Sequence, residues 1–200
     1  MFAMTHTPST AEDPVGQRVQ LRGVAWETYV ALADGRGDRA TPRLTYADGT
    51  LEITSPAPMH ERVKKTLARL IELYAWLRGI DVAGLGSTTF RDETRQLGLE
   101  PDECYYLGAE RDGVPDIAIE VVWQHGGLDK LRIFAGLGVP EVWMWRRGSL
   151  SVYRLAGSTY EEHPRSALLP ELDVQYLAAL AMHPDQAEAT RLWARFVERQ

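Results

Sequence analysis

Glu120 is the one charged residue in the run IAIEVV, residues 117–122. A carboxylate in a strand whose two faces both look buried costs several kcal/mol unless it is paired or holds a metal. Asp102 follows Pro101 in LEPDE, where the fixed φ of proline stiffens the entry to a strand and sets where the carboxylate points. Asp116 follows Pro115 in the same way, so position alone does not choose between the two pairs. Lys130 falls in the first turn of an expected helix, where the dipole mildly disfavours a cation. The chain carries 19 arginines and only three lysines, Lys64, Lys65 and Lys130, so a lysine at that place stands out. Lysine offers a compact charge whose pKa can be lowered. Each of the three has a plain alternative: Glu120 facing solvent or paired with an arginine, Asp102 in a Pro-Asp turn, Lys130 on an ordinary surface.

The spacing suggests how the three could meet. If the strands carrying Asp102 and Glu120 are antiparallel neighbours joined through residues 107–115, both acids lie at one sheet edge. Two hard oxygen ligands, completed by water and a substrate phosphate, suit Mg²⁺ or Mn²⁺ rather than zinc. A nearby ammonium would stabilise an attacking hydroxide or the developing negative charge, which together make a set for phosphodiester hydrolysis.

These groups must be positioned by the surrounding elements. Trp26–Leu32 reads as a short helix ending at the Asp34-Gly35-Arg36-Gly37 cluster. Asp48-Gly49 between RLTYA and TLEIT signals a β-hairpin, and the prolines at 56 and 58 end its second strand. His60–Arg78 is the clearest helix, with Val63, Leu67, Leu70, Tyr74 and Leu77 along one face. Its opposite face carries Arg62, Lys65 and Arg69, either a solvated stripe or a track for a nucleic-acid backbone. Short strands are expected at 81–83, 87–91, 103–106 and 117–122, then a helix over 128–137 stopped by Gly138 and Pro140. A second hairpin joins 141–146 to 150–155, and the chain from Leu172 looks helical in two pieces broken near His183-Pro184. This order predicts an α/β chain with a mixed central β-sheet, flanking helices and additional antiparallel hairpins.

Composition narrows the function. In 200 residues, 22 Lys and Arg against 28 Asp and Glu give a net charge of −6, which argues against nonspecific coating of nucleic acid by bulk positive charge. The single cysteine, Cys104, rules out an intrachain disulfide framework and suits a reducing, cytoplasmic compartment; it is expected to be a small buried hydrophobe. No apolar run is long enough for a membrane span, and residues 1–17 read as a disordered leader ahead of a single domain over 18–200. There is no Gly-rich phosphate loop, no G-x-S-x-G elbow and no zinc spacing among the histidines.

The stretches RLTYADGTLEITSPAPMHERVKK, LGSTTFR, GLEPDECYYLG, PDIAIEV and LDKLRIFAGLGVPEVW resemble a bacterial restriction-endonuclease-like family of the PD-(D/E)xK nuclease superfamily. The resemblance spans roughly residues 24–180 and is most specific in GLEPDECYY and AGLGVPEVW. It implies a PD-(D/E)xK core with Asp102 as the motif aspartate, Glu120 as the second acid, and the lysine displaced onto the following helix as Lys130. His60 matches a family position as well, as a hydrogen-bonding partner, a proton carrier or a helix cap. Glu52 and Glu61 are both candidates for an additional acid. The acid that much of the family carries in its opening hairpin is replaced by Arg43 or is absent, and Val122 stands where an undisplaced lysine would be.

Two functions are therefore expected. One is a Mg²⁺- or Mn²⁺-dependent endonuclease acting on DNA, with a homodimer as the natural state for cutting two strands. The other is an inactive module of the same fold that binds DNA or protein and dimerises through apolar surface such as Trp143, Trp145 and the C-terminal helices.

Overall fold

The computed structural model describes residues 16–37, 39–123 and 127–200. Most of the leader therefore lies outside the described residues, as does part of the loop after Trp123. Gln17, placed at the end of that leader, already begins a strand, β1 (Gln17–Arg22). Helix α1 (Trp26–Arg36) follows, then β2 (Arg43–Ala47), β3 (Thr50–Ser55) and the long α2 (Pro58–Arg78). Next come β4 (Val82–Gly84), β5 (Phe90–Asp92), β6 (Leu97–Leu99), β7 (Glu103–Leu107), β8 (Ile117–Val121) and α3 (Lys130–Leu137). The chain finishes with β9 (Glu141–Arg146), β10 (Ser149–Ala156), β11 (Thr159–His163), α4 (Val174–Leu180) and α5 (Gln186–Val197).

The strands form two sheets rather than one. The first is antiparallel, in the order β1-β3-β2-β6-β5; the second is mixed, in the order β11-β10-β9-β8-β7-β4, with β8 and β9 parallel. The parallel pair is the crossover that α3 bridges, as a β-α-β connection requires.

Strand alternation explains the layers. Ile117, Ile119 and Val121 of β8 face a core shared with Trp143, Trp145, α2, α4 and α5. Ala118 faces the other way, into a core that joins Ile133 and Phe134 of α3 to Leu97 and Leu99 of the first sheet. Period-two geometry puts Glu120 on the Ala118 side, toward α3. Trp143 and Trp145 are fully buried, with the Trp145 indole N–H donating to the Ala178 carbonyl at 3.0 Å. They are core residues because their strand is covered on both faces, and the expectation that they form a dimer surface is corrected.

Three local details also differ from the sequence reading. Helix α1 runs through Asp34-Gly35 to Arg36 because the Arg36 guanidinium grips Glu100 with two hydrogen bonds of 2.7 and 2.6 Å, which holds the last turn in place. Helix α2 starts at Pro58 rather than His60, proline at the first position leaving no N–H unsatisfied. Strands β1 and β11 escaped the sequence reading because edge strands with few apolar residues carry little alternation.

Candidate active site

The site lies where the second sheet meets β2, β3 and the N-terminal turn of α2. Glu103 pairs with Ile119 across β7 and β8, and the Asp102 amide continues the ladder with a 3.0 Å bond to the Ile119 carbonyl. Asp102 therefore stands beside Glu120, as the antiparallel arrangement predicts. Both are almost completely buried, at 1% and 2% exposure. Asp102 is held by its own sheet: the Val121 amide donates to Oδ2 at 2.6 Å.

Lys130 is the first residue of α3, whose start is fixed by Asp129, the N-cap whose carboxylate accepts from the Arg132 amide. This sends the lysine back over β8, where Nζ donates to Glu120 Oε2 at 2.6 Å. The placement follows from two local rules, an Asp N-cap and a one-residue alternation on β8, and it brings together all three residues singled out from sequence.

His60 is not a helix cap: Ala57 holds that position with no side-chain bond, and the imidazole points into the site. Its Nε2 lies 3.0 Å from Asp102 Oδ2 and its Nδ1 lies 3.3 Å from Glu61 Oε1. Burial lowers the imidazole pKa, against the opposite pull of the Glu61 carboxylate. A neutral ring has one N–H for two carboxylates, so it serves Asp102 or Glu61 but not both. Glu61 in turn is held down to about 2, first by its contact with His60, against the upward push of burial, and then by Lys64 and Arg43.

Arg43 is the residue whose role sequence reading missed. It begins β2 and is buried, with one guanidinium nitrogen in an ion pair with Asp102 Oδ1 and the other donating to Glu61 Oε1 at 2.9 Å. The signal was present: an arginine heading the apolar strand RLTYA is as anomalous as a glutamate inside IAIEVV. Glu52 answers to the same logic. It is buried on β3, where Oε2 accepts from the Gln20 side chain at 2.8 Å and from the Leu128 amide at 3.1 Å. It thus fastens the segment leading into α3.

Of these groups all but Glu61 line a cleft of about 310 Å³ that also includes Arg18, Trp123, Met144 and Arg146. Arg62, Lys65 and Arg69 are not in its lining. Arg62 donates instead to the carbonyls of His183 and Pro184, tying α2 to the turn before α5. Lys65 is exposed and Arg69 half-buried on the α2 surface. Cys104 is fully buried, as expected, and burial pushes its thiol up to about 12.

Among the described residues, Glu120 Oε1 is buried and accepts no hydrogen bond, whereas Asp102 Oδ1 is engaged by the Arg43 guanidinium. A buried acceptor left without a donor suits a hard cation. No group of three or more Asp, Glu, His or Cys among the described residues is arranged to hold a metal. A cation here would rest on the two acids and complete its shell with water and substrate oxygen, and the residues present fit Mg²⁺ or Mn²⁺ in that form.

Comparison with known proteins agrees with this architecture. The family model described as "Uma2: Putative restriction endonuclease" matches residues 26–183, and the chain belongs to that family. A crystal structure from Anabaena variabilis, titled a putative nuclease belonging to DUF820, has a similar fold, with a TM-score of 0.52 at 14% identity over 86% of this chain and 99% of that one. No curated protein matches. Among the described residues, no helix is long and apolar enough to cross a membrane.

Proposed function

We propose that the protein is a Mg²⁺- or Mn²⁺-dependent endonuclease that hydrolyses DNA phosphodiester bonds in the cleft between the two sheets. The observation that carries this reading is the meeting of two buried acids, Asp102 and Glu120, with a lysine from the next helix, Glu120 keeping one oxygen that accepts no hydrogen bond among the described residues. Membership in a family described as a restriction endonuclease supports the same class.

Asp102 and Glu120 would hold the cation. When bound, it would supply Lewis-acid polarisation of a phosphoryl oxygen and a lowered pKa for water. Lys130, kept on the Glu120 side by Glu120 itself, would donate hydrogen bonds from Nζ to the negative charge that develops on the phosphoryl oxygens. His60 holds Asp102 Oδ2 from behind and, while neutral, can take up a proton. Arg18 and Arg146 line the cleft and are the groups we assign to the substrate phosphates. Lys65 and Arg69 on α2 would then touch only flanking nucleic acid. Two strands of a duplex need two such sites, which a homodimer would supply.

Incubation with plasmid and Mn²⁺ or Mg²⁺, beside Asp102→Ala and Lys130→Ala, tests this reading. It is wrong if the wild type cuts no faster than the variants. Removing Asp102 should abolish Mn²⁺ binding, whereas removing Lys130 should leave binding intact and slow cutting by about 10²-fold or more, the scale of one lost transition-state stabiliser.

A further inference from the structure

The buried arginine at the head of β2 sits on one of the two acids. Asp102 has two carboxylate oxygens with different duties. Oδ2 is taken by the Val121 amide and approached by His60. Oδ1 is taken by the Arg43 guanidinium. The oxygen left for a cation is therefore the one that a fixed positive charge already neutralises. Arginine stays charged even when buried, so the contact cannot be relieved by losing a proton.

Arg43 has a second anchor. Its other terminal nitrogen donates to Glu61 Oε1 at 2.9 Å, and the Glu61 side chain is 43% exposed, so it also touches Lys64 and solvent. Asp102, by contrast, lies in the sheet and cannot move without breaking its bond to Val121. Of the two carboxylates that share the guanidinium, one is fixed and one is adaptable.

Resting on the two-acid site proposed above, we infer that Arg43 is an internal counter-ion for Asp102 that an incoming divalent cation must displace toward Glu61. Glu61 is then a positioning residue: it sets cation affinity by receiving the arginine, without ligating the metal. Without cation, Arg43 neutralises a buried aspartate and holds the first sheet to the second. With cation, the charge on Asp102 is met by the metal and the arginine remains paired with Glu61. Lys130 pairs with the other acid, Glu120.

The test is a calorimetric titration of Mn²⁺ into the full chain, with thermal melting in the presence and absence of Mn²⁺. Arg43→Met should bind Mn²⁺ at least about tenfold more tightly than the wild type, since a like charge at contact distance is gone. It should melt lower than the wild type without Mn²⁺ and gain more from its addition. Glu61→Gln, which takes away the negative charge that receives the arginine but not the arginine itself, should bind Mn²⁺ several-fold more weakly. Affinity unchanged or weakened in Arg43→Met overturns the inference, and so does affinity unchanged in Glu61→Gln. If Arg43→Met does not fold, the Glu61→Gln arm decides alone. Asp102→Ala separates this inference from the reading beneath it: Mn²⁺ binding that survives that substitution overturns the two-acid site, whereas an ineffective Arg43→Met overturns only the counter-ion.

Discussion

Two glutamates on neighbouring strands of the second sheet are equally buried and lead opposite lives. Glu141 opens β9 and Glu120 is the penultimate residue of β8, each 2% exposed. Glu141 is saturated: it accepts from the Trp143 indole at 2.9 Å, the Ser166 hydroxyl at 2.7 Å and the Ala167 amide at 2.6 Å, with Arg154 at 3.6 Å. Among the described residues, Glu120 has one hydrogen-bond partner, Lys130, one oxygen accepting nothing, and a cleft in front of it. A buried carboxylate whose oxygens are all taken stabilises the fold by organising the segment after β11; one left half-satisfied keeps binding capacity in reserve. Burial alone does not mark a functional acid. The donor count does.

That contrast can be broken most sharply by rate. Glu120→Gln should lower cutting by about 10³-fold or more in a plasmid assay while leaving the melting temperature close to the wild type, because Lys130 is part-exposed and can turn to water. Glu141→Ala should do the reverse. Leaving three donors without an acceptor costs about 3–5 kcal/mol, a fall of roughly 10 °C in a chain of this size by calorimetry, with cutting per folded molecule unchanged. Equal loss of stability in both variants would erase the distinction.

A smaller effect should come from the loop before Lys130. Gly127 has φ of +106°, and a Cβ there would stand 2.6 Å from Glu52 Oε2. Gly127→Ala should disturb the Glu52 clamp and slow cutting about tenfold, by misplacing Lys130, with Mn²⁺ affinity measured by calorimetry unchanged. A rate equal to the wild type would show that the clamp does not set the lysine.

The smallest effect is in pH. Burial puts the folded His60 pKa below its ordinary 6.5, so the unfolded chain binds the proton first and stability falls as pH drops below 6.5. Glu61, lowered from 4.5 to about 2, contributes a stability present above 4.5 and lost as pH falls toward about 2, softened by its exposure. Melting temperatures measured from pH 8 to 3 should fall in both windows. His60→Gln should abolish the upper loss and shrink the lower one, because the contact with His60 is the main hold on Glu61.

Much of this was readable from residue order. The Asp48-Gly49 hairpin, the amphipathic α2, the break near His183-Pro184 and the juxtaposition of Asp102 with Glu120 rest on contacts between sequence neighbours or consecutive strands, where turn chemistry and periodicity act directly. Other features rest on distant contacts. The split into two sheets depends on β2 pairing with β6 rather than with a strand of the second sheet. The basic face of α2 could be read as a nucleic-acid track because nothing local reveals that Arg62 is spoken for by the turn before α5.

The sequence by itself determined which residues can do chemistry: a charged side chain set in an apolar strand must be satisfied by something, and that rule singles out Glu120 and, applied evenly, Arg43 and Glu52 as well. Only the tertiary structure decided what satisfies each, since a guanidinium from the first sheet reaches the aspartate of the second through a contact that no local propensity encodes. The physical reason is that desolvation is a property of a position along the chain, whereas the partner that compensates it is chosen by packing.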